Sequence, residues 1–154
     1  MATKIDKVAD LPSKVGQHLG YSEWTTIDQK RVNLFADATG DHQWIHVDPE
    51  RAKKESPFGG PIAHGYLTLS LVPLLLPEVV VVGDAAMALN YGAEKVRFPS
   101  PVPVGSEVRM GVELAGVDKA KDGSSQCKLV CTFEVKGAGK PSCVAEVLFR
   151  FYGG

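Results

Sequence analysis

Three runs of two-residue alternation in the second half of the chain constrain its fold more than any other feature. Val108, Met110, Val112 and Leu114 alternate with Glu107, Arg109 and Glu113. Leu129, Cys131, Phe133 and Val135 alternate with Lys128, Thr132, Glu134 and Lys136. Ala145, Val147, Phe149 and Phe151 alternate with Glu146 and Arg150. Successive side chains of a strand point to opposite faces, so each run carries one apolar face that must be covered. Glycine-containing turns separate the runs, which predicts an antiparallel meander with one buried face. Residues 86 to 98 predict a further strand, closed by the turn Pro99-Ser100-Pro101-Val102-Pro103.

The first half follows a helical period instead. Thr26-Ile27-Asp28-Gln29 has the capping-box pattern, which places Thr26 at the N-cap and Gln29 at the third helical position. Ile27, Val32, Leu34, Phe35 and Ala38 then form a rough stripe that ends near Gly40. Asp48-Pro49 pairs a cap with a first-turn proline and predicts a short polar helix over residues 49 to 55. Ser56 to Pro61 reads as loop. From Ala63 to about Leu76 the apolar residues cover nearly every side, as expected of one long buried helix. The expected architecture is therefore α+β, a single domain over residues 1–154 whose sheet packs around a central helix. An open sheet edge in such a fold invites pairing with a second subunit.

Composition excludes some function classes. Seventeen basic against eighteen acidic side chains, net charge -1, give no basic face for a nucleic-acid backbone. Tyr66 to Val82 is strongly apolar, but Pro73 and Pro77 interrupt it well short of the roughly 20 residues a spanning helix needs, so no membrane insertion is expected. Cys127 and Cys131 lie four apart in a strand, roughly 13 Å, too far to bridge. Three cysteines without metal spacing fit reduced, partly buried thiols. Met1 to Lys7 places charges where an export signal needs an apolar core, so a cytoplasmic location is expected.

The chemistry gathers in Thr39-Gly40-Asp41-His42-Gln43-Trp44-Ile45-His46-Val47-Asp48-Pro49. A carboxylate and an imidazole, Asp41 and His46, flank a connection expected to be too short to form an element. A turn there swings both toward one point, where they could share one water and move protons at neighbouring atoms. Gly-Asp as a plain turn and His46 as a packed histidine are the blander readings. Gln43 and Trp44 would supply a polar group and an apolar wall. Farther on, His64-Gly65 opens the apolar helix, and a glycine N–H at a helix start can hold a developing oxyanion. Lys95, Arg97 and Arg109 could hold an anionic handle, though solvated strand ends are the plainer reading. Gly59-Gly60 lacks the Lys-Ser/Thr of a phosphate loop, no GxSxG elbow occurs, and His42 and His46 lack an HExxH frame, so no metal centre is expected.

Phe35-Ala36-Asp37-Ala38-Thr39-Gly40-Asp41-His42-Gln43-Trp44-Ile45-His46-Val47-Asp48 and Gly60-Pro61-Ile62-Ala63-His64-Gly65 together resemble the MaoC-like hydratases, the R-specific enoyl-CoA hydratases or hydratase 2. Gln43-Trp44, Asn90-Tyr91-Gly92 and Val96 to Gly105 resemble the NodN-like branch. The resemblance spans residues 20 to 110, and the later strands agree by pattern. It implies a hot-dog fold, a curved antiparallel sheet wrapped around a long helix, assembled as a homodimer. It implies catalytic roles for Asp41 and His46 and an oxyanion role for Gly65, and it brings forward His64, Gln43, Asn90 and Arg97 as substrate-binding candidates. The implied substrate is a trans-2-enoyl thioester of coenzyme A, with no separate cofactor and no metal, hydrated syn to an (R)-3-hydroxyacyl product. Many family members have Asn-Pro where this chain has Gln43-Trp44, which bears on pocket shape. A hot-dog acyl-CoA thioesterase and a non-catalytic acyl-CoA-binding protein are the rival readings.

Overall fold

A computed structural model describes all residues, Met1–Gly154. The chain begins with β1 (Thr3–Ile5), a 3-10 helix (Val8–Lys14), β2 (His18–Tyr21) and β3 (Thr25–Thr26). Four segments of the first half then turn helical: α1 (Gln29–Thr39), α2 (Trp44–Val47), α3 (Pro49–Glu55) and α4 (Gly65–Ser70). They are followed by α5 (Val72–Val79), β4 (Val80–Val82) and the long strands β5 (Ala85–Arg97), β6 (Glu107–Lys119), β7 (Ser125–Val135) and β8 (Pro141–Gly153).

The alternating runs form the centre of the sheet. Its order is β2-β6-β7-β8-β5, with β3 also paired to β6. Val112 faces Cys131 across β6–β7, and Cys131 faces Ala145 across β7–β8. Matched register keeps all three apolar sets on one face, and Val108, Met110, Val112, Leu114, Leu129, Cys131, Phe133 and Ala145 are all buried. Against that face lie Leu67, Leu71, Val72, Leu75, Leu76 and Val79 of the α4–α5 region, within one apolar cluster. The fold is the expected hot-dog, a mostly antiparallel sheet closed over helix.

Three local expectations are corrected. The cap of α1 is Asp28, whose carboxylate accepts from Arg31 N–H at 2.8 Å; Thr26 belongs instead to β3, paired with Glu107. The central helix is broken in two at Leu71, with Pro73 in the first turn of α5 and Pro77 inside it. Proline supplies no N–H and crowds the preceding turn, and the break leaves Tyr66 and Leu74 exposed. Finally, the segment holding His46 is an element after all, the single helical turn α2.

The thiols of Cys127, Cys131 and Cys143 are free and buried. Burial pushes Cys127 and Cys131 up to about 12 and Cys143 up to about 11, which keeps them protonated. No helix is long and apolar enough to cross a membrane.

Candidate active site

The end of α1 aims the first functional group. Gly40 adopts a left-handed conformation, φ 85°, and its N–H donates to the Ala36 carbonyl at 2.8 Å. Only glycine takes that conformation without strain. The chain turns there, and the Asp41 carboxylate accepts from Gln43 N–H at 3.3 Å, starting α2. Gln43 is the N-cap of α2, and its exposed side chain makes no hydrogen bond.

α2 carries His46 inward against Pro61–Ala63. Ile62 N–H donates to the Ile45 carbonyl at 3.0 Å, and His46 Nδ1 donates to the Ile62 carbonyl at 2.7 Å. A carbonyl can only accept, so Nδ1 carries a proton, and Nε2 is the ring nitrogen left without a protein partner. The segment is pinned from its other side by Ala63 N–H to Val102 O at 2.8 Å and Val104 N–H to Pro61 O at 3.0 Å. Gln29, which the capping pattern assigned to its own helix start, donates its side-chain amide to the His46 carbonyl at 2.8 Å. It thereby ties α2 to α1. Nothing local in the sequence signals that bond.

Ala63 leads directly into α4, whose N-cap is His64 and whose first residue is Gly65. No backbone carbonyl accepts from Gly65 N–H or Tyr66 N–H, as at any helix start. A Cβ on Gly65 would lie 3.1 Å from the Phe98 ring. Phe98 thus approaches Gly65 closely enough to crowd a methyl group there, and the glycine leaves its N–H unshielded by a side chain.

His64, only 3% exposed, joins these parts. Its Nε2 donates to the Asp41 carbonyl at 2.9 Å and lies 3.9 Å from the Asp41 carboxylate. Its ring stacks on His46 at 3.9 Å and 26°, and Phe35 lies 4.9 Å away. Donor atoms of Asp41, His46 and His64 all fall within 4.8 Å of one another. These three could be considered as metal ligands. In this arrangement His46 Nδ1 and His64 Nε2 are each already engaged with a backbone carbonyl. The cluster sets a half-exposed carboxylate beside a buried imidazole whose Nε2 has no protein partner.

Beside this cluster an apolar cavity of about 590 Å³ is lined by Phe35, Tyr66, Leu69, Val72, Val147 and Phe149. Asn90 also lines it, so the structure brings Asn90 into the neighbourhood. Arg97 is not brought in. It is exposed, lines no cavity, and donates to its neighbour's carbonyl on Val96. Arg109 forms an ion pair with Glu134 and lies over the rings of Tyr21 and Trp24, a structural cluster on β6. Next to Asp41, the pKa of His42 is raised from the ordinary histidine value of 6.5, chiefly by its hydrogen bond to Asp37.

The sequence model of the MaoC like domain matches residues 10–133. The chain belongs to the MaoC-like dehydratase family. It is 53% identical over 146 residues to 3-hydroxyacyl-thioester dehydratase Z of Mycobacterium tuberculosis, covering 95% of this chain and 96% of that one. It is 58% identical over 143 residues to Nodulation protein N of Rhizobium leguminosarum bv. viciae, covering 90% and 87% respectively. Among solved structures, the (R)-hydratase of A. caviae involved in PHA biosynthesis is 25% identical, with a TM-score of 0.68 over 90% of this chain and 96% of that one. The family is thus confirmed within its NodN-like branch, and the protein is a MaoC-like enzyme.

Proposed function

We propose that this enzyme adds water reversibly to a trans-2-enoyl thioester of coenzyme A, giving the (R)-3-hydroxyacyl thioester. The observation that carries the reading is the convergence of Asp41 and His46 on one point beside the open N–H of Gly65. The similarity to a 3-hydroxyacyl-thioester dehydratase across nearly the whole chain supports the substrate class.

In the proposed reaction, one water sits between the Asp41 carboxylate and His46 Nε2. Its proton passes to one of these groups as its oxygen attacks C3. Electron density shifts through C2 to the thioester oxygen, which Gly65 N–H stabilises as an enolate-like oxyanion. A proton then returns to C2 from the same pair, so that hydrogen and hydroxyl add to one face. The R configuration at C3 is taken from the resemblance to R-specific hydratases, the (R)-hydratase of A. caviae among them. The atoms balance with water alone, so no metal or cofactor is required, and coenzyme A enters only as part of the substrate. The cavity beside Phe35 and Tyr66 is suited to the acyl chain because its lining is mostly apolar and Phe35, one of its walls, lies against His64; Gly65 lines a separate cavity under Phe98. Asn90 gives the first cavity a polar wall.

We further place the enzyme as a homodimer joined along β5, an edge strand of 13 residues with exposed Met87, Leu89 and Tyr91. Three free thiols fit a reducing cytoplasm.

The deciding experiment follows crotonyl-CoA by its enoyl absorbance and by free-thiol release in the same cuvette. Hydration without thiol release is expected, with chiral analysis giving the R alcohol. Asp41→Asn and His46→Gln should each lose a factor of about 10²–10⁴ in turnover while folding normally. Thiol release instead would make the protein a thioesterase, and near-normal hydration by either variant would refute the assigned pair.

A further inference from the structure

We infer that His64 is a positioning residue, one that holds the carbonyl of Asp41 and backs the ring of His46 so that carboxylate, imidazole and oxyanion donor keep one geometry. This rests on the hydration chemistry proposed above for Asp41 and His46. Three observations lead to it. His64 Nε2–H reaches across from the start of α4 to the Asp41 carbonyl at 2.9 Å. The face of the same ring lies on His46 at 3.9 Å. The next residue in the chain is Gly65, so the imidazole that clamps the acid–base pair is one peptide from the oxyanion donor.

Packing alone does not account for a histidine here. With Nε2 donating, Nδ1 is left as a bare acceptor, and it is buried without a partner. An unsatisfied buried polar atom destabilises the fold. A phenylalanine would fill much the same volume between Phe35 and His46 without that penalty. The polar atom that repays the burial is Nε2, and what it holds is the backbone of Asp41. That carboxylate is half-exposed and sits on a turn of its own. Without the clamp, the turn is free to carry the carboxylate away from the buried imidazole. Misplacement on the scale of 1 Å costs about 10²-fold in rate.

The test compares His64→Phe, which keeps an aromatic ring on His46, with His64→Gln, whose amide nitrogen can occupy the place of Nε2. Each is measured for crotonyl-CoA hydration, thermal unfolding and amide hydrogen exchange of Asp41, His42 and Gln43. The Phe variant should melt at or above the wild-type temperature and keep its KM, yet lose about 10- to 100-fold in kcat. Its 41–43 amides should exchange faster. The Gln variant should regain part of kcat and slow that exchange again. Wild-type kcat in the Phe variant overturns the inference. So does a loss of kcat that follows a lowered melting temperature and is not relieved by Gln. If the wild-type enzyme fails to hydrate crotonyl-CoA, the proposed reaction is at fault. The exchange comparison, which needs no substrate, then decides the role of His64 alone.

Discussion

Phe98 stands close over Gly65, and a methyl group is enough to probe that approach. The ring atoms that a Gly65 Cβ would meet stand at 3.1–3.2 Å, inside ordinary van der Waals separation. They include the ring atom nearest the backbone, which moves least. Gly65→Ala should therefore destabilise by about 1–3 kcal/mol through overpacking, as read from urea unfolding, with a smaller cost in a Phe98→Ala background. An equal cost in both backgrounds would show that crowding by Phe98 is not the reason for glycine. His42 poses a question of charge at the same scale. Its hydrogen bond to Asp37 raises its pKa above 6.5 in the folded state. A raised histidine contributes stability that is fully present below its unfolded pKa and is lost as pH rises through the folded one. The difference in urea midpoint between wild type and His42→Ala should thus be larger at pH 5 than at pH 9. A difference independent of pH would contradict the pairing.

At the scale of elements, caps and breakers decide where helices begin and end. The segment Thr26 to Gln29 satisfies the capping-box pattern one way, while the structure uses Asp28, with Thr26 drawn into β3 against Glu107. The pattern was compatible with both choices, since Asp28 is as good a cap as Thr26, and strand pairing with β6 settled it. Asp28→Ala should cost about 1 kcal/mol of stability, whereas Thr26→Ala should stay within about 0.5 kcal/mol. The reverse ranking in thermal or urea unfolding would restore the cap at Thr26. The break between α4 and α5 follows from Pro73, which was visible in the chain, yet nine apolar residues spread over positions 62 to 76 read more simply as one helix. Because the helix breaks, α4 is short and its start is held by β-bridge contacts between Ile62 and Pro103. That bridge brings the Ile62 carbonyl to His46.

For the whole molecule, the open edge of β5 is the largest unpaired feature. A strand of 13 residues at the end of the sheet order presents unused backbone groups together with apolar side chains. Sedimentation should find a dimer at micromolar concentration, and a charged pair such as Met87→Lys with Leu89→Lys should shift it toward monomer. A wild-type monomer would remove β5 as an interface. Alternation alone determined β6, β7 and β8 and their buried face, because a period of two is written locally in each strand; the hot-dog class was implied by the resemblance to the family. The family motif marked Asp41, His46 and Gly65, since residue type and spacing can be read without coordinates. Only tertiary structure decided what those residues touch. Gln29 on the His46 carbonyl, Ile62 fixing the His46 tautomer, His64 clamping Asp41 and Phe98 over Gly65 join residues 16 to 33 positions apart. Arg97 was likewise placed only by the structure, exposed and away from the Asp41–His46–His64 cluster's cavity. Such contacts have no local periodicity to announce them; they exist because the closed sheet and broken helix bring distant backbone groups within hydrogen-bond reach.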